Sequence, residues 1–283
     1  ANQNSFIELH QTKVKESDFS EIVNYPVIYL FHISALSQAQ KSNLSKAMEN
    51  GAKVHAFSST SKENDFSNIT GDDLKFIKAA YQNGGEYNMG QFLNYSRKIF
   101  DQASFFTEDI GEPKSYPKDV FYRIGTQKFH ETPAEYWSYY KKEGLFNPSG
   151  KTIAIINSSV GVQSQFRSYQ DSIITNLESK GHNVACIAGY RKRFQNLKAI
   201  NPDMVIYFPH GRINMMGGDE AVNWLKEKNI LLLTPQVVHS TYQEWLDDQQ
   251  GMSGGLMGQN IVVPEKDGAI HPFAVAAKYI NEK

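Results

Sequence analysis

Between residues 151 and 265 one pattern repeats: a short run of β-branched and aliphatic residues, then a segment of helical periodicity. The runs are TIAIINSS, NVACIAG, MVIYFPHG, ILLLTPQ and NIVVPE. They are nearly continuous in apolar character and do not alternate, as expected of strands buried on both faces. Between them, QSQFRSYQDSIITNLESKG carries Phe166, Tyr169, Ile173 and Leu177 as one stripe, with Gly181 beyond its end. GDEAVNWLKEKN reads as a further helix, and RKRFQNLKAI as a short basic one. Strands joined by helical crossovers lie parallel, with helices over both faces and right-handed connections. The expected fold is α/β with two α/β domains. The second, residues 151–283, is a doubly wound parallel sheet of flavodoxin-like or Rossmann-like order.

A smaller α/β domain is expected over residues 1–106. PVIYLFHIS is its first strand, SQAQKSNLSKAMENG a helix stopped by Gly51, and KVHAFSS the returning strand. Thr70 and Asp73 suggest a capping box before Leu74, Ile77 and Tyr81, and another helix follows Gly84 and Gly85. Residues 107–150, with Pro113 and Pro117 and little periodicity, read as a linker containing a short aromatic helix. There Tyr136, Trp137, Tyr139 and Tyr140 either pack a seam or stack on a flat ligand.

Composition removes several classes of function. With 283 residues, 40% of them apolar, the chain can bury two cores, and its net charge of −1 carries no electrostatic footprint for nucleic acid. Cys186, the single cysteine, excludes an intrachain disulfide and any cysteine-cluster metal site. No apolar run approaches the ~20 residues that span a bilayer. The chain starts at Ala1 and not at Met, so a trimmed start is expected. A cytoplasmic protein is the first expectation, an exported or anchored one the alternative.

In a parallel α/β sheet the strand ends that carry chemistry share the carboxyl edge. Here that edge should gather residues 157–159, 189, 210–211, 236–239 and 265–271. His210, His239 and His271, the carboxylates Glu265 and Asp267, and glycine-rich loops would thus meet by topology. Neutral imidazoles bind borderline metals or the axial position of a metalloporphyrin. NSSVGVQS, with Ser158 and Ser159, lies between a strand and a helix and can receive an anion at the helix N-terminus. The densest stretch is 260–273, NIVVPEKDGAIHPF, read as a strand ended by Pro264 and followed by Glu265, Asp267, Gly268 and His271, with the permissive loop GMSGGLMG before it. The plain alternative is a charged turn with a solvated glutamate. No Walker A sequence is present, GRINMMGG lacks the dinucleotide-binding spacing, and GVQSQ is not a nucleophile elbow. RKRF reads as a solvated face or a contact for carboxylates.

QGMSGG, VVPEKDGAIHPF and SGKTIAIINSS resemble the large subunit of the cobalt and magnesium chelatases, the CobN/BchH family, whose signature is a hydrophobic strand followed by P-E-x-D-G. YQNGGEYNMGQFLNYSRK, residues 81–98, is similar to the family's early segment, so the resemblance runs from roughly residue 25 to the end. Where relatives carry a Y-H-P segment this chain has FYRIGTQKFHETP, with His130 and Pro133 as its displaced remnant.

The resemblance implies a tetrapyrrole substrate, a divalent cobalt, magnesium or iron ion, AAA-type ATPase partner subunits that alone handle ATP, and an N-terminal piece of a much longer chain, inactive by itself. It implies Glu265 as the catalytic base assisted by Asp267, a tetrapyrrole site at Gly254, Gly255, Gly268, Ser158, Ser159 and His239, and metal contacts from His210 and His271. A haem-handling relative that removes iron is the second expectation, and a non-catalytic two-domain binding protein the third.

Overall fold

Four of the five continuous apolar runs do form strands of a parallel sheet. In the computed structural model, which describes residues 7–12, 14–15, 17–59, 61–103, 109–124, 128–157, 167–215, 217–249, 251–252, 254–270 and 272–278, the chain divides into two compact units, residues 1–116 and 117–283.

The first unit is built on a parallel pair, β1 (Val27–Leu30) and β2 (Lys53–Ala56), joined by α1 (Gln38–Glu49). A capping box starts α1: Ser37 Oγ accepts from the Gln40 N–H at 3.2 Å, and Gln40 Oε1 accepts from the Ser37 N–H at 2.8 Å. Helices α2 (Gly71–Asn83) and α3 (Gly85–Tyr95) follow. Thr70 is the N-cap of α2, but its side chain makes no capping bond. Asp73, expected to complete that box, accepts from the Tyr95 hydroxyl at 2.5 Å. The GGEYNMG stretch opens α3 and has a structural use. The fully buried Asn88 donates to the Lys114 carbonyl and accepts from the Lys114 N–H, and Gln91 Oε1 accepts from the Gly111 N–H, which clamps residues 111–114 on the helix.

The second unit begins inside the stretch expected to be a linker. Strands β3 (Phe121–Tyr122) and β4 (Phe129–His130) form an antiparallel pair, and β3 adds antiparallel to β6 at Phe121↔Ile187 and Tyr122↔Cys186. Helix α4 (Pro133–Lys142) then buries Tyr136 and Tyr140 in the core. The low periodicity of this segment misleads because its strands are two residues long. Its aromatic rings supply the burial, about 1.5–3 kcal/mol for each large side chain fully removed from water.

The remaining elements alternate as expected: β5 (Thr152–Asn157), α5 (Ser168–Ser179), β6 (Asn183–Ala188), α6 (Arg193–Ile200), β7 (Met204–Phe208), α7 (Glu220–Glu227), β8 (Leu231–Thr241), α8 (Tyr242–Asp247), α9 (Gly254–Met257), a π turn (Gly258–Val262), α10 (Val263–Glu265) and β9 (Pro272–Lys278). The seven-stranded sheet has the order β4-β3-β6-β5-β7-β8-β9, parallel from β6 to β9. Taking β5 as the first parallel strand, this is the 2-1-3-4-5 order of flavodoxin-like sheets. One face packs Ala154, Ile156 and Val205 against α4, α6 and α7, and the other packs Ile153, Ile155 and Val184 against α5. Both faces are covered, which is why the strands read as unbroken apolar runs.

NIVVPE corrects an expectation. It is not a strand: residues 258–265 are helical, and the closing strand is β9, downstream. Pro264 follows the π turn directly and supplies no N–H to the Asn260 carbonyl, which accepts from Gln236 Nε2 instead, and Gly268 (φ +87°) closes the turn. The Gly268 N–H donates to the Glu265 carbonyl at 3.0 Å and the Ala269 N–H to the Pro264 carbonyl at 3.3 Å, the Schellman pattern. The β-branched run Ile261–Val262–Val263 looks like a strand locally, but here proline and glycine act as helix punctuation.

Candidate functional site at the carboxyl edge of the sheet

The order of the parallel strands puts the topological switch between β5 and β7, so the crevice at their carboxyl ends is the place to look. At the end of β5, the fully buried Asn157 donates from Nδ2 to the Tyr169 hydroxyl at 2.8 Å and to Gln170 Oε1 at 3.2 Å; Gln170 Nε2 in turn donates to the Tyr122 hydroxyl at 2.6 Å. At the end of β6, Gly189 (φ +92°) is required twice. Its backbone is left-handed, and a Cβ there would sit 2.6 Å from the Lys118 carbonyl oxygen and collide with Asp119. Asp119 Oδ1 accepts from the N–H groups of Arg191 and Lys192 at 2.9 and 3.0 Å, tying the β6–α6 loop down.

The loop after β7 meets the PEKDG turn directly. β8 pairs with β7 over residues 231–233 and with β9 only from Thr234 onward. Strand β9 is therefore displaced toward the carboxyl edge, and the turn that leads into it lies beside the end of β7. There the side chain of Asp267 is fully buried. Its Oδ1 lies 2.9 Å from Arg212 Nε and 2.8 Å from Arg212 Nη2, and its Oδ2 accepts from the Ile213 N–H at 2.6 Å. Arg212 also reaches Asp219 at 3.1 Å, and the bonds to Asp267 raise its pKa further above the ordinary guanidinium range. The Gly211 N–H donates to the Gln259 carbonyl at 2.9 Å, and Gln236 Nε2 from β8 to the Asn260 carbonyl at 3.3 Å. The side chain of Glu265, on the same turn, is exposed and engages no partner among the described residues.

A family model described as CobN/Magnesium Chelatase matches residues 78–283 of this chain. The chain belongs to the CobN/magnesium chelatase family. Among solved structures it is similar to the catalytic subunit of cobaltochelatase from Mycobacterium tuberculosis, with 15% sequence identity and a TM-score of 0.54. The match covers 93% of this chain and 22% of that one, so the chain spans about a fifth of the relative's length. At that identity the likeness speaks to the fold. A comparison with curated proteins found no match.

The PEKDG stretch is thus a helical turn docked on the β7 loop, and several expected site residues can be placed around it. Gly254 and Gly255 open α9, exposed, and a Cβ at either would meet nothing within 4 Å. Internal packing does not demand glycine there. Gly268 is demanded by its positive φ, although the space around it is open. His210 is half-buried beside Tyr190, with ring centroids 6.3 Å apart. Ser158, Ser159 and His271 lie outside the described residues, as does the side chain of His239. Among the described residues no group of three or more His, Cys, Asp or Glu side chains is arranged to hold a metal. Cys186 is buried in the sheet, and burial pushes its thiol well above the ordinary range.

Ligand stacking by the aromatic helix is excluded for two of its rings. Tyr136 and Tyr140 are buried, the first donating to the Val184 carbonyl at 2.6 Å and the second to Glu178 Oε1 at 2.9 Å. His130 stacks on Tyr139 at 4.8 Å, and burial lowers its pKa. RKRF is not simply a solvated face: Arg193 and Phe194 are buried while Arg191 and Lys192 are exposed. The spacing of Arg193, Leu197 and Ile200 (i, i+4, i+7) places the arginine on the apolar face of α6, a signal in the sequence that its charge obscures. Tyr207 and Arg212 had no such signal, since their roles depend on which loops meet.

Proposed function

We propose that this chain is the tetrapyrrole-binding region of a chelatase large subunit that places a divalent metal ion in a macrocycle. The observation that carries the reading is the docked signature turn. Asp267 is spent on holding the turn against the β7–α7 loop, and Glu265 is left exposed with no protein partner. Metal insertion removes two pyrrole N–H protons as the ion binds. A carboxylate beside the macrocycle face can accept a proton and guide the cation in. Glu265 takes that role, and Asp267 positions it through the turn. His210, on the loop that Asp267 secures, and His271 and His239 are the candidate contacts to metal or macrocycle. Ser158, Ser159 and the glycines Gly254, Gly255 and Gly268 provide close backbone approach to the ring and its acidic side chains. The sequence contains no Walker A motif, and ATP is assigned to AAA-type partner subunits.

Two measurements test this. The first is an absorbance titration of the chain with a metal-free porphyrin, a corrinoid precursor and haem, where saturable binding of at least one is expected. The second is metal insertion by the full assembly carrying Glu265→Gln, where insertion is expected to be abolished and macrocycle binding retained. Full insertion by that variant would remove Glu265 from the mechanism, and binding of none of the macrocycles by the full-length subunit would remove the tetrapyrrole reading.

A further inference from the structure

The β6–α6 loop carries a charge for which the docked signature has no use. Arg193 is fully buried, and its guanidinium finds only neutral acceptors. Nε donates to the Gly189 carbonyl at 3.2 Å, and Nη1 to the Tyr207 hydroxyl at 3.1 Å and the Arg212 carbonyl at 2.9 Å. Nη2 has no hydrogen-bond partner, and no described carboxylate pairs with the side chain. An arginine keeps its charge in proteins, and a buried charge without a counter-charge is strongly unfavourable. The guanidinium lies 4.9 Å from the Tyr190 ring centroid and 5.7 Å from that of Tyr207, and such cation–π contacts offset only part of the desolvation. Among the described residues no ion pair joins it to Asp119, whose Oδ1 accepts from the N–H groups of Arg191 and Lys192.

Tyr190 is 42% exposed, and its ring meets His210 edge-on. The buried cation therefore lies against a half-exposed aromatic ring, at the carboxyl edge and next to the loop that Asp267 secures. We propose that Arg193 is the receptor for a ligand carboxylate: an anion arriving beside Tyr190 accepts from Nη2 and neutralises the buried charge. Resting on the function proposed above, the carboxylate is an acidic side chain of the tetrapyrrole; a free short carboxylate offers the same chemistry. With Nε and Nη1 already engaged, the anion meets Nη2 in a single charge-assisted hydrogen bond.

The test uses the whole chain and two probes. Sodium propionate is titrated against sodium chloride at matched ionic strength, following the Arg193 Nε–H resonance and the thermal midpoint. A saturable shift with propionate alone is expected, with a raised midpoint that Arg193→Met abolishes and Arg193→Lys restores in part. An unresponsive Arg193 resonance in the unmodified chain overturns the proposal, whether or not the variants fold. The second probe is a metal-free porphyrin dicarboxylic acid compared with its dimethyl ester. Preference for the acid by about tenfold or more is expected, falling toward unity in Arg193→Met. A propionate response without porphyrin binding upholds the carboxylate receptor and rejects the tetrapyrrole as its carrier. Porphyrin binding with no preference for the acid rejects Arg193 as a recognition residue.

Discussion

Arg212 and Asp267 are paired 2.8 Å apart across the seam between the β7–α7 loop and the PEKDG turn, with the Asp267 side chain wholly buried and that of Arg212 18% exposed. The second carboxylate oxygen accepts from the Ile213 N–H, so one aspartate satisfies a guanidinium and a backbone donor together. Asp267 is thereby a structural fastener, whereas the side chain of Glu265, two residues earlier, is exposed.

Breaking that fastener should be costly. Removing one partner of a buried pair costs ~3–5 kcal/mol. Partial exposure of Arg212 and its second partner Asp219 reduce this, so Asp267→Asn is expected to lose about 2–3 kcal/mol. Urea unfolding measures it, and a loss no larger than a surface substitution, about 0.5 kcal/mol, would contradict the role.

Glu265→Gln should leave stability within about 0.5 kcal/mol, since an exposed side chain without partners has little to lose. Comparing its unfolding curve with that of Asp267→Asn separates the two carboxylates. Equal destabilisation by both would place Glu265 in the fold and not at the surface.

The glycines divide in the same way. Gly189→Ala meets both a left-handed backbone and the Lys118–Asp119 backbone, whereas Gly268→Ala meets only the left-handed conformation, worth about 1–2 kcal/mol. The first should lower the thermal midpoint more. Gly254→Ala and Gly255→Ala have open space within a helical turn and should be neutral or stabilising by up to about 1 kcal/mol. If these two variants fold well yet bind tetrapyrrole more weakly, close approach of a ligand explains the glycines; unchanged binding would take them out of the site.

Mild acid should weaken the fold. Burial, with help from Lys78, holds the His55 pKa below its ordinary value, and burial does the same for His130. In the unfolded chain each takes up its proton near pH ~6.5, while the folded chain does so only at lower pH. The stability these groups contribute is complete above the unfolded value and is lost as pH falls through it toward the folded pKa. Thermal midpoints measured from pH 7 down to pH 5 should fall, and His55→Gln should flatten the decline. A midpoint that rises over that range would reverse the sign argued here.

The elements most legible in the sequence were those whose signal is local. Ile153, Ile155 and Val184 face one helical layer and Ala154, Ile156 and Val205 the other, so a sheet covered twice writes itself as unbroken apolar runs. Ser37 and Gln40 announce a helix start within four residues. Short strands such as Phe121–Tyr122 leave no period to read, and Ile261–Val262–Val263 shows the opposite error, a β-branched run carried into a helix by the docking of its turn.

The sequence alone determined the α/β class, the alternation of strand and helix, and the clustering of Glu265 and Asp267 on one short segment, because burial period and turn chemistry act between residues close along the chain. Only the tertiary structure decided that β9 starts displaced toward the carboxyl edge, that Asp267 faces Arg212, and that Arg193 is buried without a counter-charge. Those outcomes depend on which strands become neighbours. Strand order is set by packing between segments well separated along the chain, from Met204 against Leu231 to Ile153 against Met204, and the Arg212–Asp267 bond spans |i−j| of 55; nothing in either segment alone encodes its partner.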